Sequence, residues 1–275
     1  MIGLLSGVTP AEASAHPVCF TKEHMLTRII VTNDDGIQAP GILALATALR
    51  EIATVEVIGP SVNQSASGHK KTLFQDIPVS DVILADGTPA KSVGGSPADC
   101  IALAALGLVE WPPRLVVSGI NRGANMGQDV TYSGTVTAAL ESTIHGIPAV
   151  AVSLASGKAA HVEEYEEAAR VAVSVVKRAL EKPLPPFTIL NVNVPALAPV
   201  KGIRLTRQGV RSYPDELERD GDIYRIVGPE PGGNLEEEGT DIWAVHNGYA
   251  SLTPLHLDLT AHRLLADIAA WDILV

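Results

Sequence analysis

The run Arg28-Ile29-Ile30-Val31-Thr32, followed without a break by Asn33-Asp34-Asp35-Gly36, constrains this chain more than any other stretch. A short β-branched run fits a buried strand, and the turn residues directly after it mark where that strand ends. In an open α/β sheet, ligands bind in the crevice beyond the carboxyl ends of the strands, where Asp34 and Asp35 would stand. Two adjacent carboxylates repel each other unless a cation or a shared proton relieves them. A hard divalent ion, which prefers oxygen ligands, is the usual remedy. An ordinary strand-ending turn explains the same letters. The segment alone leaves both readings open.

The rest of the chain repeats the alternation of strand and helix. Residues 27–32 predict the first strand, and Pro40 opens a helix to about residue 51, with Ile42, Leu45, Ala46 and Leu49 at helical spacing. A second strand over 54–58 is expected to stop at Gly59-Pro60, before a polar loop over 61–71. Residues 72–85 read as extended or hairpin structure ahead of an Asp86-Gly87 turn. Ser96 and Pro97 suit the N-cap and first position of a helix through Leu106. A strand over 114–117 ends in Ser118-Gly119, a glycine-rich loop follows, and Ser133 caps a helix closed by Gly146 and Pro148. Strands at 149–154 and 188–194 flank a helix over 162–182, whose Ala168, Ala172, Val175 and Ala179 share one face.

Hydrophobic residues make up 46% of the chain but aromatics only 4%, so the core is aliphatic, as suits helices covering a mostly parallel sheet. The expected fold is α/β: a three-layer α/β/α, Rossmann-like, mostly parallel sheet over residues 25–195. After Pro195 the pattern breaks into short strands, a Pro/Gly-rich stretch at 228–233, an acidic run at Glu236 to Glu238 read as a solvated loop, and an apolar helix over 260–271. Residues 196–275 are therefore expected to form a C-terminal β-arm and helix extension, packed on the core or on a partner subunit. Residues 1–24 read as a tail outside the core. Their apolar patch follows no Lys or Arg and is broken by Gly7 and Pro10, so a signal peptide is not expected.

The formal charge of −11 argues against nucleic acid as a bulk partner, because phosphate backbones are bound by clustered Lys and Arg. Two cysteines, Cys19 and Cys100, are too few for a disulfide framework, which favours a reducing, cytoplasmic setting. No apolar run approaches the roughly 18 residues of a spanning helix, so no membrane partner is expected.

Three polar loops follow predicted strands. In 118–129, Gly119, Gly123 and Gly127 let backbone approach a ligand, and Asn121 and Asn125 offer neutral oxygens. The spacing is neither a Walker loop nor a dinucleotide fingerprint. The helix opening at Ser133-Gly134-Thr135 offers free amides and a positive dipole end to an anion, although capping alone explains Ser133. The loop Asn63-Gln64-Ser65-Ala66-Ser67-Gly68-His69 is the third. His69, His145 and His246 lack any pattern pairing them with a nucleophile, and His69, near Ser65, is the strongest of the three. Asp129 would either orient site residues or cap a turn.

Val31-Thr32-Asn33-Asp34-Asp35-Gly36-Ile37, Ser96-Pro97-Ala98-Asp99-Cys100, the 118–127 segment and Tyr132-Ser133-Gly134-Thr135-Val136 resemble, in order, the signature blocks of the survival protein SurE family. Gly239-Thr240-Asp241, Gly248-Tyr249 and Thr253-Pro254-Leu255 are similar to that family's ending, so the resemblance spans about residues 26–262. It implies a metal-dependent phosphatase acting on nucleoside 5′- and 3′-monophosphates, with short polyphosphates as further substrates. It makes Asp34, Asp35, Ser65 and Asn121 the ligands of one divalent ion per subunit, and Asp34, Asp35 and Asn121 the catalytic centre. It assigns Asn125, Ser133, Gly134 and Thr135 to the phosphate pocket and Gly95 and Ser96 to its edge. Ser96 stands where threonine is commoner, and Ser142 where glycine is. The all-oxygen set favours Mg²⁺ or Mn²⁺. The resemblance also implies a homodimer or homotetramer. A nucleotide-binding or sensing module without turnover is the alternative, and an aspartyl-phosphate route is the competing mechanism.

Overall fold

The computed structural model describes residues 27–229 and 231–271; the expected tail at 1–24 and Cys19 lie outside them. Nine strands form one sheet in the order β3-β4-β2-β1-β5-β6-β7-β13-β8. The parallel centre comprises β1 (Arg28–Thr32), β2 (Thr54–Pro60), β4 (Pro89–Val93), β5 (Leu115–Arg122), β6 (Ala149–Ala155) and β7 (Thr188–Pro195). β3 (Val79–Ile83) closes one edge as a hairpin with β4. The chain leaves β1 toward β2 on one side and returns to β5 on the other, so the order reverses beside β1. That switch point is where an open sheet forms its binding crevice.

Successive residues of a strand face opposite sides, and here each side is covered. Ile29, Val31, Leu115 and Val117 pack with α1 (Pro40–Leu49) and α4 (Glu166–Glu181), whose Ala168, Ala172, Val175 and Ala179 are buried as the periodicity predicts. Ile30 and Val116 pack on the other side with α2 (Pro97–Leu103) and α3 (Gly134–Ile144). The aliphatic α/β/α sandwich is thus present, with both expected N-caps: Ser96 forms a capping box with Asp99, and Ser133 accepts from the Val136 amide.

Some boundaries differ from expectation. β2 does not stop at Gly59-Pro60, because the carbonyl of Pro60 still accepts from the Ile37 amide at 2.7 Å and the missing proline N–H is not needed. β5 runs past Ser118-Gly119 to Arg122, with a bulge against β6 between Ser118 and Asn121. A Cβ at Gly119 would lie 2.3 Å from the Val152 carbonyl, so glycine lets the strand continue where a loop was expected. The helix expected from 162 begins as a 3₁₀ turn, Val162–Tyr165.

The sheet does not end at Pro195 either. β13 (Ala250–His256) pairs antiparallel with β7, and β8 (Ile203–Leu205) pairs with β13, so two strands of the expected extension complete the core sheet. β13 was obscured by Pro254 and by Ser251 and Thr253, polar residues that are buried here. What projects is the stretch between them: β9 (Arg211–Ser212), the hairpin β10 (Glu216–Asp220) with β11 (Ile223–Val227), and β12 (Gly232–Gly233). The acidic run at Glu236 to Glu238 is on the surface, where Glu237 pairs with Arg207. α5 (Asp241–His246) precedes β13, and the terminal helix is short, α6 (Leu265–Ala269), with Leu264, Leu265 and Trp271 exposed.

One contact ties the fold to the crevice. A Cβ at Gly41 in α1 would lie 2.0 Å from the carbonyl of Ile120, so helix and strand end meet backbone to backbone. Gly41→Ala is expected to cost about 1–3 kcal/mol by overpacking and to displace the β5 end that carries Asn121. Urea denaturation checks the first effect, and steady-state kinetics the second.

Candidate active site

Asp34 leaves β1 directly into the crevice and is 3% exposed. The Thr135 hydroxyl donates to its Oδ1 at 2.5 Å, and the amides of Thr135 and Gly134 also face it. A Cβ on Gly134 would come within 2.7 Å of the Asp34 Cβ, so only glycine lets the N-terminus of α3 approach this closely. Burial pushes the Asp34 carboxyl up from its ordinary range, and the hydrogen bonds from Thr135 pull against it. Asp35 is half-buried. Its Oδ2 accepts the Arg122 amide at 2.7 Å, and its Oδ1 lies 3.4 Å from the Asn63 carboxamide nitrogen. Burial lifts Asp35 to about 6, opposed by the Arg122 amide and reinforced by repulsion from Asp34. Arg122 is the one cation acting on the pair among the described residues, and it acts on Asp35.

The structure brings Ser65 and Asn121 to this pair. The Gln64 amide donates to the Asp34 carbonyl at 2.7 Å, which sets the next residue, Ser65, beside it. The Ser65 amide donates to Asn63 Oδ1, and its side chain is on the surface. Asn121, just before Arg122, is buried, and its Nδ2 donates to the Gly123 carbonyl at 2.8 Å. That bond fixes the carboxamide and leaves its oxygen as the unengaged end. Two carboxylates, an amide oxygen and a hydroxyl are donors of the kind a hard divalent ion takes. Among the described residues, no three His, Cys, Asp or Glu gather as a metal site, here or elsewhere, so a metal at this pair would rely on the neutral oxygens.

Asn125 is locked by a polar ladder that sequence reasoning missed. Its amide donates to Asn193 Oδ1 at 2.7 Å, its Nδ2 to Ser153 Oγ at 2.8 Å, and its carbonyl accepts from Asn191 and Asn193. The available signal was two asparagines, i and i+2, in the otherwise aliphatic β7. Ser133 is buried and occupied as a cap, and Thr135 is turned to Asp34. Gly95 and Ser96 are buried at the start of α2. The Ser96 hydroxyl donates to the Lys70 carbonyl at 2.6 Å, so it joins α2 to the Ser65 loop instead of presenting a free hydroxyl.

Glu141 is the other missed residue. Its side chain is 3% exposed, yet it accepts from His69 at 2.9 Å, from Lys71 at 2.8 Å and from His145 at 3.3 Å. Burial alone would raise its carboxyl, but hydrogen bonds from His69 and Lys71 outweigh burial and hold it at about 2. His69 and Lys71 belong to the Ser65 loop, so Glu141 clamps that loop onto α3. His69 and His145 serve this cluster, and His246 is exposed at the end of α5. Asp129 accepts from Arg211 at 2.7 Å and from the Tyr213 hydroxyl at 2.6 Å, tying the turn before Ser133 to the base of the projecting arm.

Fold and site together define a doubly wound α/β protein with a buried acidic pair and neutral oxygens at its switch point. The model of the survival protein SurE family matches residues 29–215. A protein of Chloroflexus aggregans named 5′-nucleotidase SurE is 48% identical over 252 residues, covering 89% of this chain and 98% of that one. A protein of the same name from Geobacter sulfurreducens is 45% identical, covering 89% and 94%. The crystal structure of the SurE protein from Aquifex aeolicus superposes with a TM-score of 0.76 at 40% identity, covering 88% of this chain and 98% of that one. The chain belongs to the survival protein SurE family.

Because the Glu141 carboxyl is held far below its unfolded value of about 4.3, its contribution to stability is complete above that pH and is lost as pH falls toward about 2. Glu141→Gln keeps the shape but removes the charge, leaving Lys71 and His69 poorly paired. It is expected to cost about 2–3 kcal/mol at pH 7. The deficit relative to wild type should shrink on acidification between pH 5 and about 2.5, as followed by thermal unfolding.

Proposed function

We propose that the chain is a divalent-metal-dependent phosphomonoesterase that converts nucleoside 5′- and 3′-monophosphates to nucleoside and phosphate, with short polyphosphates as further substrates. The observation that carries this reading is the adjacent Asp34–Asp35 pair at the end of β1, Asp34 buried and Asp35 half-buried, bonded to the segments that bear Ser65 and Asn121. The names of the relatives support the nucleotide class. Asp34, Asp35, Ser65 and Asn121 would hold one Mg²⁺ or Mn²⁺ per subunit, an assignment supported by the donor chemistry. Bound there, the ion supplies Lewis acidity and a water of lowered pKa.

The chain's own residues do the rest. Thr135 and the amides opening α3 hold Asp34 in one orientation, and the Arg122 amide does the same for Asp35. The Gly123 carbonyl holds the Asn121 carboxamide by its nitrogen, and the Asn193–Ser153 ladder holds Asn125 rigid. We assign the positive end of α3, which opens at Ser133, Gly134 and Thr135, to stabilising charge on the transferring phosphoryl group through its dipole. Gly95 and Ser96 act at one remove, by fixing α2 against the Ser65 loop. A binder without turnover gains little from two carboxylates, which repel an anion unless a metal intervenes. No helix among the described residues is long and apolar enough to cross a membrane. We take the setting to be cytoplasmic, supported by the small number of cysteines.

The arm is the proposed means of self-association into a homodimer or homotetramer. A two-stranded hairpin is marginal alone, and Leu217, Ile223, Tyr224 and Ile226 all lie exposed on it.

Asp35→Asn should lower kcat by at least about 100-fold with the fold retained, and calorimetry should show weakened Mn²⁺ binding. Chelation should abolish wild-type phosphate release, and added Mn²⁺ or Mg²⁺ should restore it. Full activity in metal-stripped protein would refute the mechanism. Replacing residues 216–227 by a short Gly/Ser turn should lower the oligomeric mass in light scattering; an unchanged mass in folded protein would remove the arm from assembly.

A further inference from the structure

Beside Asp35 the crevice opens into a cleft of about 370 Å³, lined among others by Gln38, Val62, Asn63, Arg122 and Tyr165. We propose that this cleft receives the nucleoside half of the substrate and that Arg122 is its specificity-determining residue. The inference rests on the phosphatase reading above.

Four observations carry it. The cleft is continuous with the acidic pair, because Asp35 is part of its wall, and Asn63 contacts both Asp35 and the Ser65 amide. A group bound in the cleft would therefore be adjacent to a phosphate held at the pair. Its size lies in the range of small-molecule sites. Its walls are preformed: the Tyr165 ring is buried, with its hydroxyl 3.4 Å from the Ala159 carbonyl. A Cβ at Gly36 would lie 3.3 Å from the Val62 backbone, so the loop is pressed onto the Asp35-Gly36 turn. Its chemistry suits a neutral heterocycle and sugar, with carboxamides from Gln38 and Asn63, apolar surface from Val62 and Pro40, and the single cation Arg122.

Arg122 is the residue with capacity to spare. Its backbone amide is bound to Asp35, while its exposed guanidinium acts on Asp35 only through space and makes no salt bridge within 4 Å among the described residues. A planar guanidinium stacks on a nucleobase and donates to its edge. One cation does not make a second phosphate site, which points to the uncharged end of a nucleotide.

The test separates the cleft from the chemistry. Arg122→Ala keeps the backbone amide that holds Asp35, and Val62→Trp fills the cleft from its surface loop. Both are assayed with Mn²⁺ on adenosine 5′-monophosphate and on phenyl phosphate, which has no nucleoside. Each variant should lose at least tenfold more kcat/KM on the nucleotide than on phenyl phosphate, through KM. Inhibition by adenosine should weaken in step. Parallel losses on both substrates, or no loss on either, would overturn the subsite. Wild-type protein that hydrolyses neither ester would overturn the phosphatase reading instead. Calorimetry with adenosine then decides the cleft: binding by wild type that Val62→Trp removes supports it, and no binding by wild type overturns it.

Discussion

Placing two consecutive carboxylates at the buried end of a central strand is the constraint around which this molecule is arranged. Withdrawing a carboxylate from water costs several kcal/mol unless charge and hydrogen bonds replace the solvent. The replacements here are the Thr135 hydroxyl and the amides opening α3 against Asp34, and the Arg122 amide against Asp35. Both require unusually close approach. Gly134 lets α3 touch Asp34, while Gly119 lets β5 pass β6 and deliver Arg122 to Asp35. The offset is incomplete, since both carboxyls remain pushed upward, and the remaining charge favours a cation as ligand.

The same economy of contact reaches the last third of the chain. Asp241 at the start of α5 accepts from the Gly127 amide at 2.9 Å, Gln208 donates to the Gly127 carbonyl, and Arg211 and Tyr213 bind Asp129. The turn leading into Ser133 is thus gripped by the segments from which the arm projects. Burial lifts the Tyr213 hydroxyl to about 12, helped by the hydrogen bond to Asp129, so that link stays a neutral donor at physiological pH. The base of the arm is thereby tied to the N-terminus of α3.

The parallel centre and both crevice signals were legible because each rests on local pattern: aliphatic runs, Pro at helix starts, Ser at N-caps and an acidic pair directly after a strand. The resemblance supplied Ser65 and Asn121, and the structure sets both next to residues bonded to the Asp pair. What stayed hidden depends on partners far along the chain. Glu141 reads as one polar residue on a helix, and only the fold brings His69 and Lys71, some 70 residues earlier, onto it. Asn191 and Asn193 read as ordinary strand residues until Asn125 crosses them. β13 escapes the pattern because its buried face carries Ser251 and Thr253, the latter bonded to Thr206, a neighbour that no period reveals.

The loop bearing Ser65 is fixed without being buried. Gln64 is bonded to the Asp34 carbonyl, and Gly68 to Tyr132 and Thr137. His69 and Lys71 then bind Glu141, and Thr72 donates twice to Asp99, each time at 2.8 Å. Glu141 lies seven residues beyond Gly134 on the same helix, about 10 Å at the rise of an α-helix. One rigid element therefore fixes Asp34 with its first turn and the Ser65 loop with its third. The spacing between Asp34 and Ser65 is thus set by the Gln64–Asp34 backbone bond and by attachments of both segments to one helix. A hydroxyl on a loop held this way stays open to solvent yet has little conformational freedom left to lose on binding.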